Sequence, residues 1–487
     1  MTSLIRSVFS IFSGKFAGIV ISLAFTPILV RIISQPEYGL FASMFAVFSI
    51  VTLLSKGGLF DATRKIVAEH SDDSQAVSSV ISTAVTISVI YAIVATVSIV
   101  LIIQTDLVPA RYVPYVWILA ATIIFANIFT TVRGTFYGFQ RESIGEVLQV
   151  SRKLLYTSSA LVLAYAGFKV VGVFSGYALS FLLLSLVGLI VLSRNYSFSV
   201  AGLSDFREYG REIAVYGGFQ LIGGLSATLL YKVDILLIET FEGNASTALY
   251  QSAIVPAEMI WFVPSVIQLA FLQRSAKLWE NDNIEGINNN IKTGVKYGIL
   301  SLTLFGSGLF ILARPFLSVY FGVEYTDATS TLRLLIFGTF FLGISRTVVP
   351  VLQATGFVRE SELVTFVGLL VNVVLNVMLI PRYGIFGAGI GTTVSYFMIF
   401  LGNVSIWVRS PFKLVPFRWV ARLVFFQTLF VSIFAAIVYS ITFRPLIALV
   451  VFPPVGFMLF MGVNLYGGYI PRSRIKNQVQ AGVNYLQ

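Results

Sequence analysis

Seven charged residues sit inside stretches that are otherwise apolar: Lys15, Lys56, Lys232, Arg333 and Arg346, against Asp234 and Glu258. A charge at the centre of a bilayer costs about 2.5–3.5 kcal/mol on insertion scales, so such residues face a polar interior, a partner or a ligand. Five cations against two carboxylates leave an excess of positive charge. Lys15 and Lys56 fall at similar depth on neighbouring antiparallel spans, where they repel unless an anion or water lies between them. Lys56 and Arg333 are nearest to span ends, within reach of an interface by snorkelling. Lys15, Lys232 and Arg346 are assigned to a lumen. Glu258 lies between Pro256 and Pro264, and prolines inside a span free carbonyls and bend it, a pattern found at transporter binding regions. Counted from the turn near 243, Lys232 and Glu258 differ in depth by about four residues, roughly 6 Å of helical rise. An ion pair between them is one reading. The other is that Glu258 or Asp234 takes up a proton or Na⁺.

The elements that hold these residues are membrane spans. The chain has 487 residues, 57% hydrophobic and 11% charged, with a mean hydropathy of +0.87. A soluble domain carries about 25% charged residues. With about 20 apolar residues per crossing, fourteen spans are read. They fall near 9–33, 39–60, 79–103, 113–137, 147–166, 170–193, 212–238, 247–271, 291–313, 328–351, 362–380, 385–408, 420–441 and 446–468. The first follows Arg6, is long enough to cross and lacks a cleavage signal. The expected fold is therefore an all-α integral membrane protein.

Lys and Arg in the loops set the orientation. With the N-terminus inside, 22 of the 33 basic residues fall in cytoplasmic loops and tails, Arg133, Arg152 and Lys153 among them, and six fall outside. Both termini are expected in the cytoplasm of a cell that carries this chain in its plasma (inner) membrane. The formal charge of +11 reflects these basic loops and not a nucleic-acid partner.

Gly138-Phe139-Gln140-Arg141-Glu142-Ser143 returns as Gly356-Phe357-Val358-Arg359-Glu360-Ser361, 218 residues later. Gly172-x-x-x-Gly176 returns as Gly387-x-x-x-Gly391, an offset of 215. An even number of spans separates the copies, so the halves share one orientation, a parallel repeat about an axis along the membrane normal. The expected organisation is an N-lobe of spans 1–6 (1–193), a cytoplasmic linker (194–211) and a C-lobe of spans 7–12 (212–408). Spans 13–14 (409–468) form an added hairpin and 469–487 a cytoplasmic tail. Arg141, Glu142, Arg359 and Glu360 either mark where helices leave the membrane or form a paired cytoplasmic gate between lobes. The Gly-x-x-x-Gly pairs permit close helix approach.

Enzyme signatures are lacking. The chain has no phosphate-binding Gly-x-x-x-x-Gly-Lys-Ser/Thr loop and no His-Glu-x-x-His motif, and it has no Cys. Its one histidine, His70, lies in a polar stretch. Neither a metal nor an organic cofactor is expected. Asn244-Ala245-Ser246 is a sequon in an outer loop.

Thr26-Pro27-Ile28-Leu29-Val30-Arg31-Ile32-Ile33-Ser34-Gln35-Pro36-Glu37-Tyr38-Gly39 resembles the end of the first helix in polysaccharide flippases of the multidrug/oligosaccharidyl-lipid/polysaccharide (MOP) superfamily. Gly58-Leu59-Phe60-Asp61-Ala62-Thr63-Arg64-Lys65 is similar to their second-helix exit. Tyr231-Lys232-Val233-Asp234 with Ala248-Leu249-Tyr250-Gln251-Ser252-Ala253 is similar to helices seven and eight. The resemblance runs along nearly the whole chain. It implies movement of a polyprenyl-phosphate-linked oligosaccharide across the membrane by alternating access, with a cationic cavity for the phosphates. Lys15, Lys56 and Lys232 would contact phosphate or acidic sugar, with Arg346 and Arg333 assisting, and Asp234 and Glu258 would couple transport to H⁺ or Na⁺. Implied partners are the lipid-linked oligosaccharide, membrane lipid and polysaccharide-synthesis proteins such as a polymerase, around a monomeric transport unit. The alternatives are a multidrug/cation antiporter of the same superfamily, disfavoured by the positive charge balance, and a flippase for the lipid-linked peptidoglycan precursor. A scaffold without transport would have no reason to carry the buried charges.

Overall fold

The computed structural model describes residues 2–470 except 106, 195 and 197–200, and the side chains of 2–12, 15 and 203 lie outside the description. All regular structure among the described residues is helical. The first helices are α1 (Thr2–Ile32), α2 (Gln35–Lys56), α3 (Leu59–Glu69), α4 (Ser74–Ile103), α5 (Val113–Gly138), α6 (Glu142–Leu163), α7 (Lys169–Ser193) and α8 (Leu203–Glu242). Then come α9 (Asn244–Met259), α10 (Phe262–Glu280), α11 (Ile284–Ile311), α12 (Ala313–Tyr320), α13 (Thr329–Ala354), α14 (Val358–Arg409), α15 (Phe417–Ser440) and α16 (Pro445–Tyr466).

Among the described residues, ten helices are long and apolar enough to cross a membrane, and two of these, Glu142–Ser193 and Val358–Arg409, run for 52 residues. At 1.5 Å per residue that is about 78 Å, against a hydrocarbon core of about 30 Å. Each must be two crossings, and each is broken where a glycine leaves helical space: Gly167 at φ 98° and Gly384 at φ 55°. The Gly-x-x-x-Gly repeats close the resulting hairpins. A Cβ on Gly172 would lie 2.9 Å from the Leu163 backbone, and one on Gly176 would lie 2.7 Å from the Ala160 nitrogen. In the second copy a Cβ on Gly387 would strike the Leu379 carbonyl, and one on Gly391 would lie 2.9 Å from Asn376 Oδ1. The two 52-residue helices therefore contribute two further crossings. The pair α9 and α10, bent by 48° between Met259 and Phe262, supplies one more, and α1, apolar over the shorter stretch Phe16–Ile32, is the fourteenth.

The chain forms two compact units, residues 1–248 and 249–487. The first has a core of Ile66, Val80, Ile81, Ala126, Phe129 and Phe136, from α3, α4 and α5. α8 belongs to this unit, packed on α2, α3 and α4. Gly217 of α8 meets the backbone of Gly57 and Gly58, with no room for a Cβ on Gly58, and Glu212 pairs with Lys65 at 3.0 Å. Compactness thus divides the chain early in α9, between Ala248 and Leu249, whereas the sequence repeat divides it at 194–211. In the second unit Ile291, Val351, Leu352, Leu423, Phe430 and Phe452 form a core that joins α11 and α13 to α15 and α16.

Candidate functional site

A group of charged residues of the first unit is gathered near the break between α2 and α3. Lys56 is the last residue of α2, and the chain then passes through Gly57 and Gly58 at φ 53° and 71°. Such positive φ values favour glycine. The break leaves the last backbone carbonyls of α2 without helical partners. Asn127 of α5, fully buried, takes up this role: its Nδ2 donates to Ser55 O at 2.9 Å and its Oδ1 accepts from Ser55 Oγ at 3.2 Å. The end of α2, and with it Lys56, is thereby fixed against α5.

Lys56 Nζ lies 5.7 Å from the centroid of the Phe181 ring on α7. The Arg152 guanidinium of α6 lies over the same ring at 4.3 Å, and also over Phe129 and Tyr177 at 5.7 Å each. Arg133 of α5 shares Phe129 at 6.0 Å. Three cations are thus threaded through shared aromatic faces, whose negative π surfaces attract them. One carboxylate accompanies them. Glu146 pairs with Arg133 at 3.3 Å and accepts from the Tyr137 hydroxyl, while Arg133 Nε donates to Gly145 O at 3.2 Å. Arg152 has only a 3.5 Å contact from Nε to Gln149, and its Nη1 is buried without a hydrogen-bond partner.

α1 closes this face through glycines. Gly14 abuts the Glu146 carboxylate, and a Cβ on Gly18 would lie 3.4 Å from Lys153 Nζ. Lys15 follows Gly14 on α1, but its side chain lies outside the described residues. Lys232 of α8 is half-buried with Nζ 5.9 Å from the Phe45 ring, and Asp234 is 3% exposed.

The second unit holds another group, at the bend of α9 and α10. Trp261 sits in the bend, and its Nε1 donates to Thr339 O at 2.7 Å. Arg346 of α13 stacks on that indole at 4.6 Å and donates from Nη1 to Gln268 at 3.3 Å. Glu258 occupies the last turn of α9, its carbonyl accepting from Trp261 N at 3.1 Å. Prolines at 256 and 264 flank the bend, as the sequence implied.

Arg333 belongs to neither group. Its Nε donates to Phe310 O at 3.1 Å and its guanidinium covers the Phe310 ring at 5.5 Å, so it caps the last turn of α11. Arg141 and Glu142 begin α6, and Arg359 and Glu360 begin α14; Arg141, Arg359 and Glu360 are exposed. These four make no ion pair among the described residues.

The sequence does not mark Arg133, Arg152, Lys153 or Glu146 as site residues, and it counts the three bases with the loops. The structure corrects that count: Arg133 lies within α5, and Arg152 is about 15 Å along α6 from Glu142, at 1.5 Å per residue. A signal was available. Glu146, Gln149, Arg152, Lys153 and Tyr156 recur at three- and four-residue spacing, one polar stripe on a helix.

Known proteins share this architecture. The lipid II flippase MurJ in its inward closed conformation matches with a TM-score of 0.71 at 14% identity, over 94% of this chain and 98% of that one. An inward-facing multidrug resistance MATE family transporter of the MOP superfamily matches with a TM-score of 0.63 at 18% identity, over 80% and 94%. Among curated sequences, the membrane protein MJ1068 of Methanocaldococcus jannaschii is 24% identical over 300 residues, 60% of this chain and 57% of that one. The probable flippase AglR of Haloferax volcanii is 21% identical over 275 residues, 55% of each. The chain spans about half the length of the curated relatives it matches. The model of the polysaccharide biosynthesis protein family matches residues 4–275, more than half of the sequence, and the chain belongs to that family.

Proposed function

We propose that this protein is a flippase that carries a polyprenyl-(di)phosphate-linked oligosaccharide from the cytoplasmic to the outer leaflet for cell-surface glycan synthesis. The observation that carries this reading is the set of Lys56, Arg152 and Arg133 on shared aromatic rings with one carboxylate, Glu146, among them. Uncompensated cations at membrane depth are costly, and a phosphate offsets that cost by charge-assisted hydrogen bonds to arginine and lysine. Lys153 and Lys232, on α6 and α8 of the same unit, extend the set, and Lys15 is assigned to it by its place beside Gly14. Arg346 with Gln268 and Trp261 provides a second polar group suited to sugar. Movement is by alternating access, driven by H⁺ or Na⁺ with Glu258 and Asp234 as the coupling carboxylates. Arg141, Glu142, Arg359 and Glu360 form the cytoplasmic gate, and both termini face the cytoplasm of the plasma membrane. The family match supports this reading over cation export, for which an acidic site would be needed.

The test is flipping of fluorescent polyprenyl-diphosphate oligosaccharide by the purified chain in liposomes, with and without an ion gradient. Gradient-dependent movement that falls at least about tenfold in Arg152→Gln, the loss of one charge-assisted contact, is expected. Efflux of a cationic dye with no movement of the lipid would establish the antiporter reading instead.

A further inference from the structure

The second unit contains an apolar cavity of about 410 Å³ bounded by α11, α13, the last turns of α14, and the strap 410–416 leading into α15. That volume falls within the range of about 300–1,000 Å³ for small-molecule sites. Val348, Phe400, Val404, Leu414 and Phe417 supply apolar lining. Three of the lining residues, Ser345, Asn403 and Trp407, are 3%, 4% and 8% exposed, and Ser345 Oγ, Asn403 Oδ1 and Trp407 Nε1 are buried with no hydrogen-bond partner. All three polar atoms lie behind the apolar lining, so the surface this cavity offers an occupant is hydrocarbon.

The rim is basic. From Arg409 to Arg422 the chain carries Arg409, Lys413, Arg418 and Arg422 and no acidic residue, and all four are exposed. The strap is held in place by Lys413 N donating to Asn288 Oδ1 at 2.8 Å and by Phe412, buried beside Trp279. Lys292 of α11 reaches over Trp419 at 5.5 Å, bringing a fifth cation to the same edge. Glu285, a turn or two earlier on α11, is the nearest acid in sequence on that helix. Leu414 and Phe417 are 49% and 82% exposed beside these cations. Because the strap joins two membrane spans, it lies at the lipid–water boundary, where aromatic and basic residues anchor.

We infer that this cavity is a binding site for one resident anionic phospholipid, separate from the transported substrate. Its phosphate engages Lys292, Lys413 and Arg418 at the rim, and one acyl chain fills the apolar cavity. Basic pockets between helices at an anionic leaflet bind lipid headgroups in this manner.

The test is native mass spectrometry of the full chain released from nanodiscs of equimolar phosphatidylglycerol and phosphatidylcholine. Retention of one phosphatidylglycerol is expected. K292Q/K413Q/R418Q, all at exposed positions, should weaken it on the order of a hundredfold, the effect of three basic side chains near a lipid surface. Val404→Trp, which fills the cavity from a half-buried position, should abolish retention; size-exclusion profiles confirm folding. Equal retention of phosphatidylcholine would overturn the site. So would loss in the rim variant with full retention in Val404→Trp, which means surface attraction alone. Thermal stabilisation by glycerol phosphate equal to that by the lipid would mean an anion site without a chain pocket.

Discussion

Lys56 and Arg152 lie over one aromatic ring, that of Phe181, with the ammonium 5.7 Å and the guanidinium 4.3 Å from its centroid. The two residues are on α2 and α6, and neither forms an ion pair among the described residues. An aromatic face softens the cost of each charge but cannot cancel the repulsion between them. The pair is therefore most stable when an anion joins it.

Lys56→Gln should raise the thermal midpoint of the empty protein, by roughly 2 °C for 1 kcal/mol of relieved repulsion, while slowing transport. A purely structural lysine would lower both. Thermal unfolding in detergent beside the flipping assay separates the cases. A drop in midpoint with unchanged transport would place Lys56 outside the substrate path.

Glu146 should behave in the opposite sense. It is the carboxylate partner of Arg133, with side chains 9% and 18% exposed. Glu146→Gln strands a buried cation and should destabilise by about 3–5 kcal/mol. Arg133→Gln in the same chain should recover much of that loss. A double-mutant cycle read by thermal or denaturant unfolding gives the coupling; additive losses would show that the pair is not energetically linked.

Gly58 combines a φ of 71° with backbone contact to Gly217. Gly58→Ala should be strongly destabilising, by about 2 kcal/mol or more, since left-handed strain and overpacking add. Gly308 of α11 is a control: a Cβ there has nothing within 4 Å, and Gly308→Ala should be neutral or stabilising by up to about 1 kcal/mol through helix propensity. Equal effects of the two would mean that α8 does not pack on the α2–α3 break.

Glu258→Gln tests coupling. If the carboxylate carries the driving ion, flipping in Glu258→Gln becomes insensitive to the H⁺ or Na⁺ gradient while exchange without a gradient persists. A variant that keeps full gradient dependence would leave Asp234 as the coupling residue, to be tested by Asp234→Asn.

The sequence by itself determined the membrane class, the fourteen spans and the breaks inside the two 52-residue helices, but not the break at Gly57 and Gly58, which falls inside the span it reads over 39–60. Hydropathy and helical rise fix how deep a residue lies along its span, and glycines and prolines fix where a span must end or bend. That is why Gly172, Gly176, Gly387, Gly391 and the Pro256–Pro264 bend were legible. Depth says nothing about which helix faces which. Helix packing and side-chain azimuth, set by ridges, grooves and small residues across the whole assembly, decide neighbours. Only the tertiary structure could therefore bring Lys56 to Arg152 over Phe181, give Arg133 its carboxylate in Glu146, and send Arg333 to the end of α11. The sequence places Arg152 and Lys153 with the cytoplasmic loops because it shows a span boundary as a composition change, and a polar stripe inside a helix blurs it. The fold supplied what one-dimensional distance lacks: residues almost a hundred positions apart sharing one ring.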